Sequence, residues 1–147
     1  MTLSTALRFL HLLAAASWFG TALFWPGALK RALASGPPHA EPGLRLARTG
    51  LGLDLGIGLG LLATGLAYAS PAGGRTLRAG IWIGLALTVA RVALLLVLAR
   101  PAVQRTGEAA AAGRLDDARA AAKPVSAYAG VAHLLWLLAL AMMVFPV

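Results

Sequence analysis

The sequence predicts an all-α fold, an integral membrane four-helix bundle, on three observations. Apolar residues make up 59% of the 147 residues and charged ones 12%, against roughly 45–50% and about 25% in soluble domains. Four apolar runs, at about 5–29, 46–69, 79–98 and 125–147, are each long enough to cross a bilayer, which takes about 20 residues. The 13 basic residues, part of a net charge of +8, gather at the ends of these runs and form no stripe with interleaved aromatics. That arrangement suits anionic lipid headgroups and topology control and argues against nucleic acid as a partner. One transmembrane domain over 1–147 accounts for the whole length. Hydrocarbon offers no partners to a free backbone, and the alternation of a β-barrel is absent, so each run is read as a helix.

The first run exceeds the roughly 7–15 residues of a signal-peptide core. It continues through Trp18, Phe24 and Trp25, so it is read as a membrane helix. Ser35-Gly36-Pro37-Pro38 breaks the chain after it, and Pro42-Gly43 opens the second helix. Ser70-Pro71-Ala72-Gly73-Gly74 reads as a tight turn into the third. The polar stretch Arg100–Lys123 then forms a long connection carrying one short surface helix. There Asp116 and Asp117 come early and Arg119 and Lys123 late, matching the helix dipole. Pro124 starts the fourth helix.

Lys30, Arg31, Arg45 and Arg48 flank the first connection, and Arg100, Arg105, Arg114, Arg119 and Lys123 lie on the third. Only Arg8, Arg75 and Arg78 fall on the opposite side. The expectation is a multi-pass protein of the cell inner (plasma) membrane, with both termini outside and the short surface helix cytoplasmic.

Cysteine is absent, which excludes disulfides, thiolate catalysis and iron–sulfur clusters. No P-loop, dinucleotide glycine motif or His-Glu-x-x-His occurs. The chemistry must come from the ionisable residues at membrane depth, which are costly there: His11, Asp54, Arg91 and His133. His39 lies in a connection and reads as solvated. Asp54 and Arg91 lie at matching depths from the same side, so an ion pair is expected. It serves as a structural clasp or, less favourably, as a proton relay or a site for a haem propionate. Gly52, Gly56, Gly60 and Thr64 form a small-residue ridge that lets a helix approach closely, while Gly50 and Gly58 flank Asp54 on another face. His11, Trp18 and Trp25 recur every seven residues and share a face of the first helix. Two membrane histidines on different helices suit the iron of a b-type haem, or copper. Equally, each can simply hydrogen-bond to a neighbouring helix. Counted from a common outer edge the two stand about 9 Å apart in height, so a shared iron needs a staggered helix or a different second ligand.

The segment Leu10-His11-Leu12-Leu13-Ala14-Ala15-Ala16-Ser17-Trp18-Phe19-Gly20, continuing to Phe24 and Pro26, resembles the first helix of a superfamily of small membrane proteins. That superfamily includes the HemJ-type protoporphyrinogen oxidases and the copper-resistance D (CopD)-like proteins. The resemblance implies a helical bundle and haem b held through His11. It covers the first helix well and the rest loosely. Where HemJ proteins carry Trp followed by Lys on a later helix, Trp82 is followed four residues on by Ala86. A haem-binding or redox relative is therefore the implied function, and no particular enzyme reaction is assigned.

The leading expectation is a membrane protein that binds haem b and takes part in electron transfer. Its cofactor-contacting residues would be His11, His133, Trp18, Asp54 and Arg91, with His11 and His133 as metal ligands. The alternatives are a CopD-like copper-handling protein using His11, His133 and Met142 or Met143, and a packing subunit of a larger membrane complex. Beyond the lipid bilayer, the partners this leaves open are a quinone or redox partner protein and a homo-oligomer.

Overall fold

A computed structural model describes residues 3–36, 39–69 and 79–145, with side chains over 5–36, 39–67 and 79–145. Among these residues there is no strand. The helices are α1 (Leu3–Ser35), α2 (Ala40–Ala69), α3 (Ala79–Leu94), α4 (Arg100–Ala111), α5 (Leu115–Ala122) and α6 (Val125–Val144). A single π-helical turn, Leu95–Ala99, joins α3 to α4. Four spans, Thr5–Ser35, Ala40–Ala67, Ala79–Ala111 and Leu115–Val144, are long and apolar enough to cross a membrane. The expected turn Ser70–Gly74, the basic residues Arg75 and Arg78, Pro37-Pro38 and Pro146-Val147 lie outside the described residues.

The largest departure from expectation is the third span. It does not end near residue 98 but runs on as one continuous helical rod to Ala111. Pro101 reads as a helix breaker in sequence because its ring meets the carbonyl four residues back. The π turn immediately before it relieves that conflict, since Arg100 N–H bonds to Leu95 O, five residues back, and the coil widens. α1 and α2 also run past the expected edges at 29 and 46. Pro42 is tolerated because it falls in the first turn of α2, where its missing N–H has no intrahelical partner to lose.

The chain is arranged as two antiparallel pairs, α1 with α2 and α3 with α6, laid side by side. Small residues set the spacing. On α2 a Cβ at Gly43 would fall 2.7 Å from Ala32 Cβ, one at Gly50 2.8 Å from Trp25 Cβ, and one at Gly58 2.7 Å from the Trp18 indole. These three contacts give the register of α1 on α2. Ala28, Ala32, Ala47, Ala99, Ala102, Ala129 and Ala132 fill much of the remaining core, which allows the close approach that drives helix association in lipid. Ala118 of α5 packs with Ala109 of α4 and Leu33 of α1, capping that end of the bundle. Its early acids pair locally, Asp116 with Arg119 and Asp117 with Arg114, on the exposed face.

The ridge Gly52, Gly56, Gly60 is not a contact within this chain. All three are exposed, and a Cβ on any of them would meet nothing within 4 Å. The packed face of α2 is the one carrying Gly50, Asp54 and Gly58.

Candidate functional site: a polar layer across the bundle and two oriented histidines

Asp54 lies midway along α2, 1% exposed, and Arg91 lies on α3, fully buried. Arg91 Nη1 donates to Asp54 Oδ1 at 2.9 Å and Nη2 to Oδ2 at 3.3 Å, a two-pronged contact. Such planar, charge-assisted pairing is what a guanidinium and a carboxylate do best in low dielectric. Arg91 Nε donates at 3.0 Å to the carbonyl of Ala132 on α6. Trp25 Nε1–H of α1 donates at 2.9 Å to Asp54 Oδ2. The face of Trp18, also on α1, lies 3.9 Å from the guanidinium carbon, a cation–π contact worth about 2 kcal/mol or more when desolvated. One layer therefore ties all four long spans together, and the ion pair expected from matching depths is present.

Sequence reasoning found the pair but not its indole partners. The available signal was the seven-residue spacing of Trp18 and Trp25 facing glycines eight apart, Gly50 and Gly58, on either side of Asp54. That pattern leaves slots for two indoles around one carboxylate. Trp18 and Trp25, each 1% exposed, are thus filled in by Arg91 and Asp54.

His11, on α1, meets the C-terminal part of α2. Its Nδ1 is 3.1 Å from Thr64 Oγ1. That hydroxyl also lies 2.9 and 3.1 Å from the carbonyls of Gly60 and Leu61, and when it donates to either of them it accepts from Nδ1–H of His11. Gly65 leaves room for the ring, since a Cβ there would sit 3.2 Å from His11 Cε1. The result is an imidazole tethered through Nδ1 to a neighbouring helix.

His133 is oriented by its own helix. Its Nδ1–H donates at 2.6 Å to Ala129 O, one turn back on α6. Its Nε2 is buried with no partner. It follows Ala132, whose carbonyl accepts from Arg91, but its own side chain makes no hydrogen bond to the polar layer among the described residues.

The two histidines are not brought together. Phe19 of α1 and Trp136 of α6 stack with centroids 4.8 Å apart, which sets these antiparallel helices level at that point. His11 is eight residues from Phe19 toward one end, and His133 is three from Trp136 toward the other, a vertical separation of about 16 Å. Met142 and Met143, six and seven residues beyond Trp136 on the His11 side, stand within about 3 Å of His11 in height. No group of three or more His, Asp or Glu side chains converges among the described residues. Comparison with family models, with curated proteins and with solved structures finds no match.

Proposed function

We propose that this chain is a multi-pass membrane protein that binds a b-type haem through Nε2 of His11 and takes part in electron transfer. The observation that carries the reading is the His11–Thr64 contact: a membrane-depth imidazole tethered through Nδ1 to a neighbouring helix, which would leave Nε2 for iron. The resemblance of the first helix to HemJ-type proteins points to the same residue. Bound haem would supply a one-electron iron couple. The chain's own contribution is to orient the imidazole and exclude water. Asp54, Arg91 and Trp18 act as the clasp that fixes α1 against α2 and α3, and so fixes His11, and do not touch the haem. The same reading puts both termini outside the cytoplasm, on the asymmetry of Lys and Arg.

The test is the visible spectrum of protein purified from haem-replete cells. A Soret band is expected, lost or shifted in His11→Ala, with membrane insertion unchanged because Ala costs less than His in lipid. Thr64→Val keeps the shape but removes the hydroxyl, and should weaken haem retention by about 10–100-fold. Wild-type protein without Soret absorption overturns the reading. Cysteine-labelling or tag accessibility confined to the cytoplasmic side would overturn the topology.

One observation favours a second reading. Met142 and Met143 share the height of His11, and imidazole with thioether suits Cu(I). Stoichiometric copper in the absence of a Soret band would establish it over haem.

A further inference from the structure

Arg48 lies on α2 six residues from Asp54, about 9 Å along the helix toward the α4 end. Asp54 is midway along α2, and half a hydrocarbon core is about 15 Å. The Cα of Arg48 therefore sits at hydrocarbon depth, and its charge must reach outward along the stem. It does so across to α4. The guanidinium occupies the place that a Cβ on residue 107 would take, which Gly107 leaves empty. The slot seats the group at the α2–α4 edge while Arg48 stays exposed, and among the described residues no anion pairs with it there. The ion pairs among the described residues use Arg45, Arg91, Arg114 and Arg119, and no hydrogen bond satisfies Arg48. Glu108, next to Gly107, forms no ion pair with it. Arg100 shares the face of Gly107, two turns nearer the bilayer, and is exposed.

We propose that Arg48, seated in the Gly107 slot and backed by Arg100, binds the phosphate of an anionic phospholipid headgroup. A guanidinium presents a planar fork of donors that matches phosphate oxygens. Here it is held in position at the depth where lipid phosphates lie, so little ordering remains to be done on binding. The free phosphate ion carries the same chemistry without the acyl chains. The lipid is favoured because the slot opens at the edge of two apolar spans.

Native mass spectrometry of the detergent-purified chain, with thermal unfolding in parallel, tests this with phosphatidylglycerol, phosphatidylcholine and inorganic phosphate as probes. Phosphatidylglycerol should be retained and should raise the unfolding temperature, and the other two should not. Arg48→Gln should weaken retention by about tenfold or more, beyond the roughly fivefold that loss of one basic charge near an anionic surface brings. The decisive variant is Gly107→Ala, which keeps every charge and displaces only the guanidinium. It should match Arg48→Gln, whereas Arg105→Gln, which removes a charge from α4 without touching the slot, should stay within about fivefold of wild type. Undiminished retention in Arg48→Gln or Gly107→Ala, or equal retention of phosphatidylcholine, overturns the proposal. An equal effect of inorganic phosphate overturns the lipid as its source.

Discussion

The two glycine faces of α2 look alike in sequence and behave oppositely in the fold. Gly52, Gly56 and Gly60 recur every four residues, the spacing associated with close helix contact, and they meet nothing within the chain. Gly50 and Gly58, eight apart, are pressed against Trp25 and Trp18, and Asp54 sits between them. Glycine spacing alone does not mark a contact. What marks it is register with bulky residues on the partner helix and a polar group that needs company. A missing side chain serves packing only where a neighbour has one to put in its place.

The comparison breaks most sharply at the carboxylate. Asp54→Asn should destabilise the bundle by about 3–5 kcal/mol by leaving Arg91 buried without its counter-charge. Asp54→Asn with Arg91→Leu should recover part of that loss, read by chemical denaturation in micelles. A double mutant as unstable as the two singles added together would show that the side chains act independently. Trp25→Phe removes the donor to Asp54 together with the pyrrole part of a buried indole, for an expected cost of at least about 1.5–3 kcal/mol, the range for a hydrogen bond to a charged group. Gly58→Ala should cost about 1–3 kcal/mol through overpacking against Trp18, measured by thermal unfolding followed by circular dichroism. At the small end, alanine at Gly52, Gly56 or Gly60 should change monomer stability by no more than about 1 kcal/mol, and in the stabilising direction, because alanine is the better helix former. A loss of several kcal/mol at any one of the three would mean that the outward face is covered in the membrane.

The four spans were legible because hydrophobic length is a strong signal and hydrocarbon leaves the backbone no alternative. The pairing of Asp54 with Arg91 was legible from depth alone, because an unpaired charge is so unfavourable there. Its indole partners were harder to see, since an aromatic seven-residue repeat reads equally as a wall for a ligand or as core. The relative height of His11 and His133 was underestimated because it depends on how α1 and α6 slide past one another. The Phe19–Trp136 stack sets that offset, and neither helix carries it alone. The continuation past residue 98 is hidden because the stretch from Arg100 turns polar and reads as a connection. The periodic burial of Ala102, Val103, Thr106 and Ala109 is a helical pattern written in small residues, which hydropathy barely registers against the polar residues between them.

The π turn at Leu95–Ala99 gives the third span a spare residue. An ordinary α-helix advances by about 100° per residue, and the wide turn takes up one residue without passing that rotation on. Deleting a single position between 95 and 99 would let the turn relax toward ordinary α-helix, and the rod beyond would keep its facing. Arg91 would keep its carboxylate and Gly107 would stay under Arg48. The same deletion inside α4 has no such reserve, and would turn everything after it by about 100° and carry α5 off Leu33. The rod in effect has a slip joint one turn below the clasp.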